Sequence, residues 1–426
     1  MSELSLSSDQ QKVIELYLQG KNLFISGGAG TGKSFLLNYL KLNFSHHDLE
    51  ITSSTGISAV NIGGTTIHSW AGIGLANQPI EQILNNLLSS KMTKIRKRII
   101  KTKTLAIDEI SMISPEVLEI LNIVFQEIRQ NSQPFGGMQT LFFGDFLQLP
   151  PVNRNSHELQ FCFDSPIWHK LNLQNIILTE IFRQSDKKLI NLLNNIRFGK
   201  ITNEDKKILE SRIKIIDDNS AIRPTILTTH NTKVEMVNNN FLKKISAPIK
   251  QFTAEYSGDV FKIEFLKKNC LAYQQLTLKV GAQVMMIKNT LQKEGIVNGS
   301  LGIVRDFSVK KNYPIVEFNN GKTLTVSPES WQVEKFDSAN KTSSVEASLT
   351  QVPLILAWAI TIHKSQGLTL DKISCDLSDS FTAGQSYVAL SRARTLDGIF
   401  IESINFNKIH ADPQAVNFYQ KIIDNL

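Results

Sequence analysis

Short apolar runs alternate with helical stretches over the first 180 residues of this 426-residue chain. Runs of this length and character are typical of buried strands. They fall at residues 22–26, 50–53, 104–108, 140–144 and 176–178. Helical patterns such as 34–42 and 115–129 lie between several of them. Strands that alternate with helices predict a parallel sheet covered on both faces.

A second pattern of strands follows, and a group of short strands interrupts it. Its strands are predicted at residues 225–228, 353–357, 372–375 and 398–401. Between about 280 and 336 the chain instead shows five short apolar runs, some of them separated by Asn-Gly turn signals. We therefore predict a small β-barrel inserted in a second α/β unit, with the polar stretch 337–347 as its exit linker.

Composition excludes several classes of protein. With 42% hydrophobic and 20% charged residues, the chain is neither disordered nor fibrous. No run approaches the ~18 apolar residues of a membrane span, and residues 1–11 lack a targeting pattern, so we expect a cytoplasmic protein with no membrane partner. Cys162, Cys270 and Cys375 are far apart, which predicts neither a zinc site nor a disulfide framework.

Charge points towards a polyanionic partner. The net charge of +7 favours binding to phosphate chains, although it identifies none. The segment 91–103 carries seven basic residues and no acidic one. It fits a solvent-exposed helix surface and a phosphate-binding patch equally well.

Residues 27–34, G-G-A-G-T-G-K-S, match the phosphate-binding loop G-x-x-x-x-G-K-[ST] between a predicted strand and helix. Backbone N–H groups of such a loop and the helix N-terminus bind phosphates. Nucleotide contacts are therefore predicted at Gly28, Ala29, Gly30, Thr31, Gly32, Lys33 and Ser34. Lys33 would reach the terminal phosphates, and Ser34 would hold Mg²⁺.

A pair of carboxylates ends the strand predicted at 104–108. Asp108 would complete the magnesium shell, and Glu109 would orient or deprotonate the attacking water. Together with the loop, this pair predicts ATP hydrolysis with ATP and Mg²⁺. It does not identify the purpose, because phosphate-binding loops serve kinases, GTPases, transporters and motors.

Five multi-residue motifs occur in one order along the chain. They are D-E-I-S-M-I at 108–113, G-D-F-L-Q-L-P-P-V at 144–152, L-T-E-I-F-R-Q at 178–184, A-W-A-I-T-I-H-K-S-Q-G at 357–367 and G-Q-S-Y-V-A-L-S-R-A-R at 384–394. With them the chain resembles the PIF (petite integration frequency) helicases, the RecD-like branch of helicase superfamily 1, from about residue 6 to 401. The resemblance implies an α/β fold of two tandem RecA-like (P-loop NTPase) domains, 1–180 and 181–426. It also implies a small wedge insertion at about 71–102 and an SH3-like β-barrel insertion at about 280–345.

The resemblance implies roles at the nucleotide. Gln148 matches a γ-phosphate sensor, and Arg183 and Arg392 match arginines that reach the γ-phosphate. Such arginines accelerate hydrolysis by roughly 10³–10⁵. Gln366 and Gly367 match a motif that couples the nucleotide to DNA. Gln10 matches a glutamine that contacts adenine, while Ser7 and Gln10 also fit a helix capping box, and both roles are compatible.

Contacts with single-stranded DNA are implied at Thr55, His68, Ser69, Thr229, Asn231, Thr361, His363 and Lys364. Hydroxyl and amide groups position a DNA backbone without reading its sequence. A core histidine is the alternative for His363. Two departures from the family pattern affect the predicted DNA contacts. Ser53 and Ser54 stand where the family usually has Ala-Pro, and Leu147 replaces an aromatic residue that is frequent in the family. They put base stacking in doubt, and we expect them to leave the ATP chemistry intact.

The function implied is that of an ATP-dependent DNA helicase. It would move 5′→3′ on single-stranded DNA and unwind duplexes at single-strand/duplex junctions, with RNA–DNA hybrids and G-quadruplexes as further substrates, as a monomer in solution. Two alternatives remain open from the residues. One is a motor that strips proteins from single strands, and the other is an ATP-gated nucleic-acid clamp that does not unwind.

Overall fold

The computed structural model describes residues 6–44, 48–151, 161–213, 222–337, 342–378 and 382–425. Its helices are α1 (Ser8–Leu18), α2 (Lys33–Phe44), α3 (Gly56–Asn61), α4 (Ile67–Ala71), α5 (Ile80–Leu88), α6 (Thr93–Lys101), α7 (Pro115–Arg129), α8 (Pro166–Lys170), α9 (Lys187–Arg197), α10 (Asn203–Glu210), α11 (Asn231–Lys244), α12 (Val260–Asn269), α13 (Gln385–Leu390) and α14 (Pro413–Ile423).

The strands are β1 (Leu23–Gly27), β2 (Leu49–Ser53), β3 (Thr65–Thr66), β4 (Thr104–Asp108), β5 (Gln139–Gly144), β6 (Gln174–Leu178), β7 (Thr225–Thr228), β8 (Lys250–Thr253), β9 (Glu255–Gly258), β10 (Gln275–Leu278), β11 (Gln283–Met286), β12 (Leu301–Phe307), β13 (Pro314–Phe318), β14 (Thr323–Thr325), β15 (Glu329–Asp337), β16 (Thr342–Gln351), β17 (Leu354–Leu356), β18 (Ala359–Thr361), β19 (Ile373–Leu377) and β20 (Ile399–Ile404).

The chain divides into two compact units. The first unit comprises Met1–Phe182, Val333–Val345 and Asn417–Leu426, and the second comprises Arg183–Gln332 and Glu346–Val416. No helix among the described residues is both long and apolar enough to cross a membrane.

A six-stranded sheet in the order β3-β2-β4-β5-β1-β6 forms the centre of the first unit, and its strands are parallel. Strands β1 and β4 are buried along their whole length, as their continuous apolar sequence requires. Because the strands are parallel, their carboxyl ends meet at one edge of the sheet. Ser26 lies opposite Gly144, and Ser53 lies opposite Asp108. This register brings three of the sequence motifs together.

An aromatic cluster completes the core of the first unit. The ring of Phe418, from α14, stacks on Phe163 with centroids 4.2 Å apart and also packs against Phe146. Phe24 of β1 contacts both Phe146 and Trp168. A segment far away in the sequence therefore helps to bury the strand that leads into the phosphate-binding loop.

A four-stranded parallel sheet in the order β18-β7-β19-β20 forms the α/β part of the second unit. The two parallel sheets confirm the predicted α/β fold class. In each unit the predicted helices and strands have observed counterparts, and the helix at Pro115–Arg129 and the strand at Thr225–Thr228 have the predicted bounds.

One strand of the second unit was assigned to the wrong sheet. Residues 353–357 were expected in the parallel sheet, but β17 pairs antiparallel with β11, with Val284 opposite Leu356. The parallel sheet takes β18 instead, which pairs with β7. The run from 354 to 360 is apolar throughout and contains no turn residue, so the sequence does not mark where the chain passes from one sheet to the other.

A five-stranded antiparallel sheet in the order β14-β13-β12-β11-β17 lies where the barrel insertion was expected. Four of the five predicted runs form its strands β11 to β14. The fifth lies in β15, which belongs to a separate three-stranded sheet with β16 and β9.

The predicted exit linker at 337–347 is wrong from Thr342 onwards, because this part belongs to strand β16; residues 338–341 lie outside the described residues. Ala347 and Leu349 are buried, and their period of two is that of a strand. The polar composition of the segment concealed this alternation.

The region expected to carry the wedge, 71–102, is helical. It consists mainly of α5 and α6, with a short 3-10 turn at Ser90–Met92 between them. Ile83, Leu87 and Ile99 are its buried apolar residues in these helices. The apolar sides of both helices are thus partly covered, while Leu88 and Ile100 are exposed.

Candidate active site

The phosphate-binding loop runs from the end of β1 to the start of α2. Gly30 and Gly32 both have φ of 84°, which L side chains rarely adopt. A Cβ at Gly32 would lie 2.6 Å from Gln10 Nε2, so glycine is required there for space as well. Lys33 Nζ donates to the carbonyls of Gly27 at 2.6 Å and Gly28 at 3.1 Å. The ammonium group is therefore held over the loop in which phosphates are expected.

Asp108 is the last residue of β4, and Glu109 follows it directly. The buried Asp108 carboxylate accepts a hydrogen bond from Ser58 Oγ at 2.6 Å. Burial raises the pKa of Asp108, while the Ser58 hydrogen bond, a backbone hydrogen bond and the charge of Lys33 lower it. Glu109 adopts a left-handed conformation (φ 54°, ψ 44°), which is uncommon for a residue other than glycine and recurs at functional sites.

The two residues predicted to hold magnesium, Ser34 and Asp108, both carry side-chain oxygens. Mg²⁺ prefers oxygen ligands and is commonly bound through one or two carboxylates together with substrate phosphates. In the described part of the chain, no group of three or more His, Cys, Asp or Glu side chains could hold a metal ion. An ion at Asp108 would therefore have to share its ligands with a nucleotide.

Gln10 uses the two ends of its amide differently. The capping box is present: the Ser7 N–H donates to Gln10 Oε1 at 3.1 Å, and the Gln10 N–H donates to Ser7 Oγ at 3.3 Å. Gln10 Nε2 is buried and has no hydrogen-bond partner. A buried amide donor without a partner is costly. The cap thus leaves one donor that an adenine ring nitrogen would satisfy.

Phe182 lies beside that donor, and the sequence analysis missed it. Its N–H donates to the Gly30 carbonyl at 2.9 Å, and its ring carbons lie 3.4 Å from the position of a Gly32 Cβ. The ring is 54% exposed. An exposed aromatic face next to an unpaired amide suits a planar base. The only sequence signal was its position directly before Arg183.

Gln148 is anchored by a second buried carboxylate. Gln148 Nε2 donates to Asp145 Oδ2 at 3.1 Å. The Tyr419 hydroxyl, from α14, donates to Asp145 Oδ1 at 3.2 Å and lies 2.5 Å from Ser26 Oγ. Ser26 immediately precedes the phosphate-binding loop. The sequence motif at 144–152 contains Asp145, but nothing in the sequence identified Tyr419.

We call the set formed by the loop 27–34, Gln10, Asp108, Glu109 and Gln148 the nucleotide cradle. All of these residues belong to the first unit.

Arg183 and Arg392 converge on Ser391 within the second unit. Arg183 Nη1 donates to the Ser391 carbonyl at 3.3 Å, and Arg392 Nη2 donates to Ser391 Oγ at 2.8 Å. Arg183 Nη2 also reaches the Gly367 carbonyl at 3.5 Å, and Arg392 Nη1 reaches the Ser365 carbonyl at 3.3 Å. Burial lowers the pKa of Arg183. We call these five residues the arginine cluster.

A further glutamine supports this cluster and was not predicted. Gln184 is buried, and its Nε2 donates to the carbonyls of Ser391 and Ala393, both at 3.1 Å. It ties the chain next to Arg183 to the turn that carries Arg392. Gln366, a neighbour of the cluster in sequence, is half-buried.

The residues expected to contact DNA differ in accessibility. Ser69, Asn231 and His363 are exposed, and the exposure of His363 excludes the core-histidine alternative. His68 is half-buried, and burial lowers its pKa, so its imidazole is neutral at pH 7. Thr361 is buried, and its Oγ1 accepts the Lys364 N–H at 3.2 Å.

Two threonines predicted to contact DNA, one in each unit, are engaged in local contacts. Thr55 Oγ1 accepts the Ser58 N–H at 3.3 Å and thereby caps α3. Thr229 Oγ1 lies 2.5 Å from His230 Nδ1. Both threonines are half-buried, so their backbone groups are as relevant as their hydroxyls.

The basic segment 91–103 separates into two kinds of residue. Arg98 donates to the Trp70 carbonyl and lies over the Trp70 ring at 5.2 Å. Arg96 Nη1 donates to the Leu87 and Ser89 carbonyls. The arginines therefore support the fold. The exposed cations of α6 and its flanks are Lys91, Lys94, Lys97, Lys101 and Lys103.

Residues 5–207 match the model of the PIF1-like helicase family, and residues 263–307 match that of the 2B domain of DNA helicase Pif1. The ATP-dependent DNA helicase Pif1 of Bdellovibrio bacteriovorus is 34% identical over 98% of this chain and 92% of its own length. This chain belongs to the PIF1-like helicase family. The resemblance on which the sequence analysis relied is thus confirmed.

The ATP-dependent DNA helicase PIF1 of Xenopus laevis is 38% identical over 99% of this PIF1-like chain. The chain spans 65% of that relative's length, which is less than two thirds. Among solved structures, Bacteroides Pif1 in complex with ADP-AlF4 has a TM-score of 0.87 at 32% identity, covering 99% of this chain and 98% of its own. Bacteroides Pif1 bound to single-stranded DNA has a TM-score of 0.65 at 31% identity over 99% of this chain and 98% of its own.

Proposed function

We propose that this chain is an ATP-dependent DNA helicase that translocates 5′→3′ on single-stranded DNA and unwinds duplexes from single-strand/duplex junctions. The observation that carries the proposal is the nucleotide cradle. In it, Lys33 is held over a glycine loop beside Asp108, and a buried Gln10 donor lacks a partner. The membership of the PIF1-like family supports the choice of DNA as the track.

ATP binds to the cradle through groups that already point into it. The loop N–H groups bind the phosphates, and Lys33 exchanges the carbonyls of Gly27 and Gly28 for phosphate oxygens, because charge-assisted hydrogen bonds are the stronger ones. Gln10 Nε2 binds adenine, and the Phe182 ring packs on its face. The similar Bacteroides Pif1 in complex with ADP-AlF4 supports nucleotide binding by this chain.

Hydrolysis then depends on two carboxylates of the cradle. Glu109 orients the attacking water and accepts its proton, and Gln148 contacts the terminal phosphate. Ser34 and Asp108 would hold Mg²⁺, which would supply positive charge to the phosphate oxygens.

Arg183 and Arg392 stabilise the charge that develops on the γ-phosphate. Arg183 donates to the Ser391 and Gly367 carbonyls at 3.3 and 3.5 Å, which are long bonds to neutral groups. Arg392 donates to the Ser365 carbonyl at 3.3 Å, and it has shorter bonds to the Val388 carbonyl at 2.9 Å and to Ser391 Oγ at 2.8 Å. Phosphate oxygens compete well with such acceptors, since a charged acceptor roughly doubles the strength of a hydrogen bond. Gln366 and Gly367 lie next to these arginines and are proposed to couple the nucleotide state to DNA.

Single-stranded DNA contacts the polar residues predicted at the two units, with Ser69, Asn231 and His363 the most accessible. The relative bound to single-stranded DNA supports this partner. We extend the proposal to RNA–DNA hybrids and G-quadruplexes as substrates and to a monomer as the form in solution.

The test is strand separation on matched duplexes that carry either a 5′ or a 3′ single-stranded tail. We expect ATP-dependent unwinding only with the 5′ tail, and none with Lys33→Ala. Unwinding from the 3′ tail would contradict the polarity. DNA-stimulated hydrolysis without strand separation on either tail would contradict the helicase function. The protein-stripping motor and the clamp would then remain. They differ in that only the motor should hydrolyse ATP faster on longer single strands.

A further inference from the structure

Three serines around the junction of β2 and α3 contact the carboxylate residues of the nucleotide cradle: Ser53 ends β2, Ser54 follows it, and Ser58 lies in α3. Ser53 Oγ donates to the Asp108 carbonyl at 3.4 Å. Ser54 Oγ donates to the Glu109 carbonyl at 2.7 Å, and the Ser54 N–H donates to the Asp108 carbonyl at 3.0 Å. Ser58 Oγ donates to Asp108 Oδ2 at 2.6 Å. We call Ser53, Ser54 and Ser58 the serine bridge. Its position follows from the sheet, because β2 and β4 are neighbours and end in register.

The bond from Ser58 determines how the Asp108 carboxylate is oriented. Asp108 is buried, so each of its oxygens needs a donor or a cation. A hydroxyl donor at 2.6 Å is as short as bonds to a charged acceptor normally are. With Oδ2 bound to Ser58, and with a further hydrogen bond to the backbone of Glu109, the carboxylate is held in one orientation.

The bonds from Ser54 act on the backbone rather than on a side chain. They hold both peptide carbonyls, of Asp108 and of Glu109, at the point where Glu109 adopts its left-handed conformation. A residue in this conformation persists only when its surroundings enforce it. Ser54 is one such constraint on the direction in which the Glu109 side chain leaves the backbone.

The same segment carries a residue proposed to bind DNA. Thr55 lies between Ser54 and Ser58, its N–H donates to Ser53 Oγ at 3.3 Å, and its Oγ1 accepts the Ser58 N–H. No separate element lies between the DNA side and the carboxylates. A shift of Thr55 therefore moves the donors of Asp108 and Glu109 directly.

We propose that Ser54 and Ser58 are positioning residues that transmit the binding of single-stranded DNA to the carboxylates of the ATP site. This inference rests on the proposed function. DNA bound at Thr55 fixes the serine bridge, and the bridge fixes the carboxylate of Asp108 and the side chain of Glu109. The protein hydrolyses ATP rapidly only when this arrangement is complete.

The experiment compares Ser58→Ala, Ser54→Ala and Ser58→Thr with the wild-type chain. Ser211→Ala is the matched control, because Ser211 Oγ also donates to a main-chain carbonyl, that of Ile208, away from either carboxylate. Four quantities are measured: ATP turnover with and without oligo-dT, the Mg²⁺ concentration for half-maximal turnover, the dissociation constant of oligo-dT without nucleotide, and that constant with Mg²⁺, ADP and aluminium fluoride. Thermal unfolding controls for the fold.

For Ser58→Ala we expect DNA-stimulated turnover to fall and the Mg²⁺ requirement to rise, each by about 10- to 100-fold, as for other residues that orient a metal ligand. The affinity of Ser58→Ala for oligo-dT without nucleotide stays at the wild-type value, while the change in affinity caused by the nucleotide analogue is lost. Ser58→Thr keeps a hydroxyl and should show the wild-type turnover, Mg²⁺ requirement and analogue response. Ser54→Ala lowers DNA-stimulated turnover without changing the Mg²⁺ requirement, since Ser54 does not contact the carboxylate oxygens.

Two results would overturn the inference. One is wild-type DNA stimulation, Mg²⁺ requirement and analogue response in both alanine variants. The other is a loss of oligo-dT affinity without nucleotide that matches the loss of turnover, because the serines would then bind DNA themselves. A wild-type chain whose turnover ignores DNA would instead contradict the proposed function, so the two failures are distinguishable.

Discussion

The nucleotide cradle and the arginine cluster contain charged groups that are positioned in different ways. In the cradle, the glycine loop and the Asp108–Glu109 pair lie at the ends of parallel strands. The sheet sets the register of these strands, and it places Asp108 opposite Ser53. In the arginine cluster, Arg183 and Arg392 are held by carbonyl and hydroxyl groups of turns. The first arrangement is fixed by the backbone of a sheet, and the second by side-chain hydrogen bonds.

This difference separates two tasks of an ATPase. A binding site for phosphates must exist before the nucleotide arrives, and strand ends provide it without reorganisation. Arginines that act on a transition state must exchange their partners, and long bonds to neutral carbonyls permit this. We therefore predict that substitutions in the arginine cluster mainly affect the rate of ATP turnover. Substitutions of residues that support or adjoin the cradle should mainly affect the free energy of unfolding and the affinity for nucleotide.

The largest effect is expected for Arg183→Ala. DNA-stimulated turnover should fall by roughly 10³–10⁵, since an arginine that stabilises the transferring phosphoryl group contributes that much. The affinity for a fluorescent ADP analogue should change little. Arg212→Ala is the control, because Arg212 forms an ion pair with Asp397, whose side chain is 92% exposed. A fall of less than 10-fold for Arg183→Ala would contradict the division of tasks.

The next effect concerns the support of the cradle. Phe418→Ala should lower the free energy of unfolding of the first unit by about 3 kcal/mol, the lower end for phenylalanine truncation, because the ring is only half-buried. The loss arises from the stack on Phe163 and the contact with Phe146. Urea denaturation followed by tryptophan fluorescence measures it, since Trp168 lies 6.0 Å from Phe418. An unchanged midpoint would show that α14 is not needed for this core.

A smaller effect is expected for Phe182→Ala. The dissociation constant for ATP should rise about 10-fold, in line with roughly 1–3 kcal/mol for an aromatic side chain stacked on a base. Turnover at saturating ATP should remain close to the wild-type value, because the ring contacts no reacting group. Phe182→Trp keeps an aromatic face and should bind as the wild-type chain does. If Phe182→Ala lowered saturated turnover instead, Phe182 would belong with the arginine cluster.

The smallest effect is expected for Tyr419→Phe. The substitution removes the hydroxyl that donates to Asp145, accepts the Phe146 N–H and lies beside Ser26, and a net loss of about 1 kcal/mol is typical for one such hydrogen bond. The aromatic ring stays in place, so the comparison with Phe418→Ala separates packing from hydrogen bonding. Differential scanning calorimetry of both variants measures the difference. Equal losses for the two substitutions would contradict this separation.

Much of the cradle could be predicted because each part has a local signal. The glycine loop, the Asp108–Glu109 pair and the strands before them depend on residues that are adjacent in sequence. The capping box at Ser7 and Gln10 is local in the same way, and it is confirmed.

What escaped prediction depends on contacts across the chain. Tyr419 lies next to Ser26 and Asp145 only because α14 packs on the first unit, and no spacing rule expresses that. The exchange of β17 for β18 occurs within an uninterrupted apolar run, where periodicity cannot decide which sheet receives which residues. Phe182 was overlooked because the neighbouring arginine carried the stronger signal.

The position of Phe418 and Tyr419 has a consequence for synthesis on the ribosome. The core of the first unit stays incomplete until these residues emerge, after the ranges Arg183–Gln332 and Glu346–Val416 have been made. At ~5–20 residues per second, translation of this stretch takes on the order of tens of seconds. During that time the aromatic surface around Phe24, Phe146 and Trp168 lacks its cover and is a natural binding site for a chaperone.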